Sequence, residues 1–245
     1  MNSLSWFESW FNSPYYHVLY SHRSEAEARD FIRRIVLKLN LQPQAKVLDI
    51  ACGKGRHART LHALGLEVDA FDLSENSINE AKKTEVEGLH FYVGDMRKPF
   101  KENHYDAAFN LFTSFGYLAN DKENSEAFTA SVTNVKKGGC FIVDYLNAAR
   151  SLAQLVPSET IEKEGIIFQI RRHFDGKFFK KTIEFEAEGQ RFHFEESVRG
   201  FMLEDFEKMA EKAVGKISRM WGNYNLDPFQ TASSDRLILE IKHQD

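Results

Sequence analysis

Apolar and polar residues follow two different patterns along this chain of 245 residues. Between residues 24 and 146, stretches with apolar residues three or four positions apart alternate with short apolar runs, which indicates helices alternating with strands. This rhythm predicts a parallel sheet with right-handed crossover helices. Residues 166–199 instead carry apolar side chains at every second position, and turn pairs such as Asp175-Gly176 separate the runs, which is typical of antiparallel hairpins.

These patterns predict the positions of the elements. The predicted helices cover residues 24–39, 75–83, 121–135 and 203–213, preceded by a short amphipathic helix around Trp6 and Trp10. The predicted core strands start at residue 47 and cover 66–71, 89–93, 105–110, 140–144, 216–221 and 236–242. We expect an N-terminal aromatic and helical segment (1–45), a core (46–150 and 201–245) and a β-rich insertion (151–200) that is either a lid or a dimer surface.

A glycine-spaced turn between an apolar strand and a helix holds Gly53 and Gly55. Such a turn is typical of nucleotide sites, because glycine lets the backbone approach a ligand and the helix start points free N–H groups at it. Asp49, just before the turn, would repel a pyrophosphate and suits a cationic group such as the amino group of a methionine moiety. The same turn also fits a variant dinucleotide fingerprint, and a turn that binds nothing stays open as well.

Two further acidic residues follow predicted strands. Asp72 lies 19 positions after Gly53 (72 − 53), where a carboxylate meets ribose hydroxyls in nucleotide-binding folds. Asp95 and Met96 follow the third strand, where a carboxylate can accept from an adenine amino group while the thioether packs on the ring. A nicotinamide site does not need an acidic residue after the third strand.

Four segments together resemble the class I S-adenosylmethionine-dependent methyltransferases. They are Asp49-Ile50-Ala51-Cys52-Gly53-Lys54-Gly55, Asp72-Leu73-Ser74, Gly94-Asp95-Met96-Arg97 and Phe112-Thr113-Ser114-Phe115-Gly116-Tyr117. They are most similar to small-molecule N-methyltransferases, including the amino-sugar N,N-dimethyltransferases. The resemblance covers residues 14–146 and is only architectural beyond them.

The resemblance implies an α/β, Rossmann-like, doubly wound fold with a mostly parallel seven-stranded sheet whose last strand is antiparallel, next to the antiparallel β-insertion. It implies S-adenosylmethionine as cofactor and S-adenosylhomocysteine as product. It also implies that N-terminal groups, with Arg23 among them, contact the methionine end of the cofactor. The expected cofactor contacts are Asp49, Ala51, Cys52, Gly53, Gly55, Arg56, Asp72, Leu73, Asp95, Met96, Asn110, Tyr16 and Tyr20.

Methyl transfer needs few catalytic side chains. The sulfonium of this cofactor makes its methyl group electrophilic, so that alignment and desolvation of an attacking amine or hydroxyl carry the reaction. A side chain near the site is needed only to accept a proton. The candidates are Tyr117, Tyr145 and His17, each of which is also a plausible packing residue.

Composition narrows the partners. The net charge of −4, with 32 Lys and Arg against 36 Asp and Glu, argues against nucleic acid, and the Asn/Asp-Pro-Pro-aromatic tetrapeptide of base methylation is missing after residue 110. We therefore expect a small-molecule acceptor and no metal, since no Cys/His spacing suggests a metal site. The start lacks a signal-type apolar core and no membrane-length apolar run occurs, which predicts a cytoplasmic location. A monomer and a homodimer both stay open.

Three functions remain open from the sequence. A small-molecule methyltransferase leads. An NAD(P)-dependent oxidoreductase on a similar sheet is the second, although Asp49 and Asp95 argue against it. A non-catalytic S-adenosylmethionine-binding protein is the third, because so few catalytic residues are expected that their loss would be hard to see.

Overall fold

The computed structural model describes residues 6–20 and 25–244. Its helices are α1 (Trp6–Phe11), α2 (Pro14–Leu19), α3 (Glu25–Leu39), α4 (Arg56–Ala63), α5 (Glu75–Lys82), α6 (Asp121–Thr133), α7 (Ala148–Ala153) and α8 (Leu203–Lys212). Its strands are β1 (Lys46–Ile50), β2 (Glu67–Asp72), β3 (Leu89–Val93), β4 (Tyr105–Asn110), β5 (Val135–Leu146), β6 (Ser158–Lys163), β7 (Ile166–Phe174), β8 (Phe178–Ala187), β9 (Gln190–Arg199), β10 (Gly215–Trp221) and β11 (Arg236–His243).

Seven strands form one sheet in the order β3-β2-β1-β4-β5-β11-β10. Strand β1 runs parallel to β2 and β4, and β4 runs parallel to β5. Strand β11 is antiparallel to both β5 and β10. The predicted fold class is confirmed, including the antiparallel last strand. The strand order reverses between β1 and β4, which is where ligands bind in open α/β sheets.

Alternate residues of the strands pack into two apolar clusters, one on each face of this sheet. Val47 packs with residues of α3, α4 and α5, while its neighbour Leu48 packs with residues of α6 and α8. Helix α3 buries the predicted apolar face, since Phe31, Ile32 and Ile35 are fully buried. The packing of helices on both faces of the sheet therefore follows from the helical and strand periodicities of the sequence.

Strands β6 to β9 form a separate antiparallel sheet. Helices α1 and α2 cover one of its faces. Trp10 is fully buried against Phe194, with ring centroids 4.5 Å apart, and Tyr15 lies 4.9 Å from both Phe185 and Phe192. Aromatic side chains on this face of the hairpins are thus covered by helices of the same chain, and the dimer surface stays a prediction.

Some elements differ from the prediction. Strand β6 was not predicted, because five of its six residues (Ser158–Lys163) are polar or charged. Strand β5 starts at Val135 rather than at residue 140, and α6 ends at Thr133. Short helices α2 and α7 were also missed. Ser24, the predicted start of α3, lies outside the described residues. No helix in the described ranges is long and apolar enough to cross a membrane.

Candidate functional site

The turn between β1 and α4, which we call the glycine loop (residues 51–55), has a backbone that only small residues follow easily. Ala51, Gly53 and Gly55 have φ values of 57°, 54° and 79°. A Cβ added to Gly53 would meet no atom within 4 Å, whereas one added to Gly55 would lie 2.4 Å from the Phe91 ring. Gly53 therefore faces open space, and Gly55 is packed against the core.

Two buried polar side chains at the ends of β1 and β4 each have one oxygen without a hydrogen-bond partner. Asp49 and Asn110 are each 1% exposed, and Oδ2 of Asp49 and Oδ1 of Asn110 accept no hydrogen bond. Asn110 Nδ2 donates to the carbonyl of Ile50 at 3.3 Å, which ties β4 to the start of the glycine loop. Burial raises the pKa of Asp49 to about 7, with the negative charge of Asp72 adding to the effect. These two oxygens can therefore accept hydrogen bonds from a ligand, and a positively charged donor would also pair with the Asp49 carboxylate.

Asp72, at the end of β2, is fixed by the backbone on both sides. Its Oδ2 accepts the N–H of Gly53 at 2.8 Å, and its Oδ1 accepts the N–H of Ser74 at 2.8 Å. Burial is the larger influence and raises the pKa of Asp72, against the lowering effect of these hydrogen bonds. An ionised carboxylate has about four lone-pair positions, so Asp72 keeps acceptor capacity for a hydroxyl group.

Asp95 follows β3 as predicted, but Arg97 engages it. The guanidinium of Arg97 donates to both oxygens, with its Nη2 2.6 Å from Oδ2, and this hydrogen bonding lowers the pKa of Asp95. The predicted bond from an adenine amino group to Asp95 would compete with this pair. Met96 packs against the apolar cluster under the sheet, and Leu73 is 43% exposed beside Asp72. Those two side chains offer apolar surface near the carboxyl ends of β2 and β3.

The start of α4 faces the residues that follow β4. The His57 ring stacks on Phe112 with centroids 4.7 Å apart, and the Arg56 guanidinium lies 5.1 Å from the same ring. Arg56 Nη2 and the His57 Nε2 atom are 3.0 Å apart. Burial and the two neighbouring guanidinium groups lower the pKa of His57 to about 3. At neutral pH, His57 is therefore uncharged and Arg56 supplies the positive charge here.

The N-terminal helices extend from the small sheet to the edge of the large sheet where β1, β2 and β4 end, which we call the mouth of the site. The Ser74 hydroxyl donates to Asn12 Oδ1 at 3.1 Å, and the rings of Phe11 and Tyr117 lie 5.6 Å apart. Tyr16, a predicted cofactor contact, packs among α1 and α2 aromatic side chains. The segment of residues 11 and 12 therefore lies beside the ends of β2 and β4.

Tyr20, the other predicted contact in this region, is committed to the small sheet. Its hydroxyl donates to Glu196 Oε1 at 2.6 Å and accepts from Lys181. This placement counts against the prediction that Tyr20 contacts the methionine end of a cofactor. Arg23 and the side chain of His17 lie outside the described part of the chain.

The remaining candidates for proton acceptance differ in position. Tyr145 is fully buried, its hydroxyl donates to the carbonyl of Arg199, and burial raises its pKa well above the ordinary value. These contacts count against the prediction that Tyr145 accepts a proton, because they give Tyr145 a packing role. Tyr117 is only partly buried and lies at the mouth, so it stays a candidate.

Sequence reasoning missed Asp144, Tyr224 and Arg236, which meet behind the turn after β4. Asp144 accepts from Phe112 N–H at 2.8 Å, from the Tyr224 hydroxyl at 3.2 Å and from Arg236 Nε at 2.8 Å. The signal was present in part, because Asp144 is another carboxylate at a strand end. Its partners come from residues 80 and 92 positions away, which no local pattern connects. Across the described residues, no cluster of three His, Cys, Asp or Glu side chains could hold a metal ion.

Comparison with known sequences places the chain in a family. A family model described as a methyltransferase domain matches residues 41–197. Putative methyltransferase YqeM of Bacillus subtilis (strain 168) is 25% identical over 217 residues, covering 84% of this chain and 87% of that protein. The dTDP-3-amino-3,6-dideoxy-alpha-D-glucopyranose N,N-dimethyltransferase of Streptomyces fradiae is 28% identical over 123 residues, covering 50% of this chain and 46% of that enzyme. The chain thus spans about half the length of the Streptomyces enzyme.

Solved structures agree on the fold. An S-adenosylmethionine-dependent methyltransferase from Clostridium acetobutylicum superposes with a TM-score of 0.80 at 22% identity, covering 94% of this chain and 96% of that one. The amino pentose methyltransferase CalS10 from Micromonospora echinaspora, with S-adenosylmethionine bound, gives 0.71 at 20% identity, covering 94% and 97%. The family match spans more than half of the chain and places it with methyltransferases rather than with oxidoreductases. This chain belongs to the methyltransferase-domain family and is a methyltransferase.

Proposed function

We propose that the protein transfers the methyl group of S-adenosylmethionine to an amine or hydroxyl group of a small molecule, by in-line displacement. The observation that supports it best is the buried Asp49 carboxylate with an unpartnered oxygen beside the glycine loop. A buried acceptor without a donor is costly, and a cationic amino group would relieve that cost. A pyrophosphate at the same place would add negative charge to it.

The residues of the site fit this cofactor. Asp49 and Asn110 would accept from the amino group of its methionine moiety through their free oxygens. Asp72 would accept from the ribose hydroxyls through the lone pairs that Gly53 and Ser74 leave free. Leu73 and Met96 would offer apolar surface to the adenine ring. Asp95 would accept a hydrogen bond from the adenine amino group only when its ion pair with Arg97 is broken.

The chain then contributes alignment, exclusion of water and a place for one proton. When bound, the cofactor supplies an electrophilic methyl group. Phe11 of the N-terminal segment and Tyr117, after β4, would cover the site from one side, and Phe112, stacked on His57, would form a wall. Holding a nucleophile in line with the methyl group is worth about 7–11 kcal/mol. Tyr117 is the candidate to accept or relay a proton from an amine acceptor.

The class of methyl acceptor is inferred from the apolar wall at Phe112 and from the names of related proteins. Apolar rings with few polar groups suit a compact metabolite better than a polymer. The Streptomyces fradiae relative is named as an N,N-dimethyltransferase of a dTDP-amino sugar, and CalS10 as an amino pentose methyltransferase. We therefore place amine-bearing sugars and other small amines first among the acceptors, with hydroxyl compounds next.

A labelled methyl transfer assay tests this proposal. S-adenosylmethionine with a labelled methyl group is incubated with nucleotide-linked amino sugars, free small amines and their hydroxyl counterparts, and products are identified by mass spectrometry. We expect label on nitrogen or oxygen, with inverted configuration when a chiral methyl group is used. Label on carbon alone, label on RNA alone, or retained configuration would contradict the proposal.

Tyr117→Phe separates proton handling from binding. If Tyr117 takes part in proton transfer, kcat falls by about a hundredfold and the affinity for S-adenosylhomocysteine stays unchanged. An unchanged kcat would remove Tyr117 from the mechanism. Asp72→Ala serves as the contrasting variant, because it is expected to weaken cofactor affinity strongly while circular dichroism stays native.

A further inference from the structure

The turn that follows β4 has an unusual backbone. Phe112 and Thr113 are consecutive non-glycine residues with φ values of 57° and 60°. Each such residue costs about 1–2 kcal/mol relative to an ordinary conformation, so surrounding contacts must hold the pair in place. Ser114 adds little beyond the turn, because its hydroxyl donates locally to the carbonyl of Leu111 at 2.8 Å.

A buried ion pair supplies those contacts. Asp144 Oδ2 accepts the N–H of Phe112 at 2.8 Å, and the Asp144 carbonyl accepts the N–H of Thr113 at 3.0 Å. Arg236 bridges the same two groups, because its Nε donates to Asp144 Oδ1 at 2.8 Å and its Nη2 donates to Thr113 Oγ1 at 2.7 Å. Asp144 is fully buried, and the Arg236 side chain is 19% exposed. Both backbone amides and one side chain of the turn are thus fixed by one Asp–Arg unit.

The turn held in this way is a wall of the candidate methyl-transfer site. The Phe112 ring stacks on His57, which follows the glycine loop, and the Arg56 guanidinium lies 5.1 Å from the centre of the same ring. Tyr224 supports the ring from behind at 4.9 Å and donates its hydroxyl to Asp144. A shift of the turn would therefore move the surface against which α4 begins.

We propose that Asp144 and Arg236 are positioning residues of the methyl-transfer site, holding the Phe112–Thr113 turn against the glycine loop. This role rests on the proposed function of that site. The pair touches neither reacting group, and it acts through the turn. Two hydrogen bonds from a planar guanidinium fix orientation as well as distance, which a lysine ammonium does not do.

The same sheet offers a matched control. Arg219 donates to the fully buried Glu240, so a second Arg–carboxylate pair lies between β10 and β11 at the far edge of the sheet. Removing either arginine leaves a buried carboxylate without its guanidinium and destabilises the fold. Only Arg236 contacts the turn after β4. Loss of stability is therefore common to both variants, and any effect on the turn is specific to one.

The test compares Arg236→Met, Arg236→Lys and Arg219→Met by thermal unfolding, by hydrogen exchange of peptides spanning residues 110–117, and by calorimetric titration with S-adenosylhomocysteine. We expect amide exchange in this peptide to rise at least tenfold, and the Kd for S-adenosylhomocysteine to rise about tenfold, in Arg236→Met. Arg236→Lys keeps the positive charge beside Asp144 and should be less destabilised. In this variant, the exchange rate and the Kd should lie between those of Arg236→Met and the wild type. Arg219→Met should lower the melting temperature and leave both measurements at their wild-type values.

Equal effects of Arg236→Met and Arg219→Met on the peptide and on the Kd would overturn the positioning role and leave a structural ion pair. So would wild-type exchange and affinity in Arg236→Met. If the wild-type protein failed to bind S-adenosylhomocysteine, the proposed function would fail, and the exchange comparison would still decide whether the pair holds the turn.

Discussion

At the residue scale, Asp49 has a charge that changes near neutral pH. Burial raises its pKa from 3.8 to about 7, so the folded protein holds this proton more tightly than the unfolded chain does. The Asp49 contribution to stability is present at low pH and is lost as the pH rises through about 7. A cationic ligand group reverses the preference, because it pairs with the ionised form.

We therefore expect the affinity for S-adenosylhomocysteine to rise between pH 5.5 and 7.5 while the melting temperature of the ligand-free protein loses the Asp49 contribution. Calorimetry and thermal unfolding at several pH values in this range measure both. Asp49→Asn should flatten both slopes. Asp106→Asn is the control, since Asp106 pairs with Lys136 at 3.0 Å at the opposite end of β4. Equal slopes in Asp49→Asn and wild type would show that another group titrates.

Gly53 and Gly55 have left-handed backbones for different reasons, which predicts different phenotypes. Gly53→Ala meets no atom within 4 Å and should cost about 1–2 kcal/mol of stability for its φ value, while placing a methyl group in ligand space. Gly55→Ala puts Cβ 2.4 Å from the buried Phe91 ring and should cost about 2–4 kcal/mol. Denaturant unfolding and calorimetric titration with S-adenosylhomocysteine on both variants decide this. A larger loss of stability in Gly53→Ala would refute the assignment of the two sides of the loop.

At the element scale, one carboxylate fastens the N-terminal helices to the small sheet. Glu196 Oε1 accepts from Trp10 Nε1 and from the Tyr20 hydroxyl, each at 2.6 Å, and Lys181 lies 3.7 Å from its other oxygen. Only 17% of the Glu196 side chain is exposed, so its removal leaves buried donors without an acceptor.

Glu196→Ala should therefore cost about 2–3 kcal/mol and release α1 and α2 from the sheet. Hydrogen exchange should rise in residues 6–20 and stay unchanged in the seven-stranded sheet. Glu195→Ala is the matched control, because the neighbouring Glu195 side chain is 69% exposed on the opposite face. Unaltered exchange of residues 6–20 in Glu196→Ala would mean that apolar contacts alone hold these helices.

Elements with strong periodicity were predictable, and weakly patterned ones were not. Strands β3 and β4 match the predicted residues, and Ser74 caps α5, with its hydroxyl accepting the N–H of Ser77 at 3.2 Å. Strand β6 escaped because its mostly polar residues pair through their backbones with β7 and show little apolar alternation. Pairing partners, rather than side-chain pattern, define such an edge strand.

The candidate site divides in the same way. The motif residues Asp49, Gly53 and Asp72 could be placed from local sequence, because one strand–turn–helix unit and the next strand position them. The Asp144–Arg236 pair could not, since its members come from antiparallel strands that meet only in the folded sheet. Asp95 was placed correctly but its guanidinium partner, two residues later, was not foreseen.

At the scale of the whole molecule, the two sheets meet the site from different sides. The seven-stranded sheet brings the ends of β1, β2 and β4 together at the reversal of strand order. Residues 11 and 12 join this mouth to the helices packed on the small sheet through contacts with Tyr117 and Ser74. The small sheet and its helices therefore lie beside the candidate site, and the lid role of the β-rich insertion stays a prediction. Boundaries at residues 151 and 200, a homodimer and a cytoplasmic location stay predictions.

The most direct test of the cofactor site is a calorimetric titration of the purified protein with S-adenosylmethionine, S-adenosylhomocysteine and NADH in parallel. The arrangement of Asp49, Asn110 and Asp72 predicts micromolar binding of the first two and none of NADH, with Asp72→Ala losing most of the affinity. Binding of NADH alone, or equal binding in Asp72→Ala, would contradict the assignment of these carboxylates to the amino group and ribose of S-adenosylmethionine.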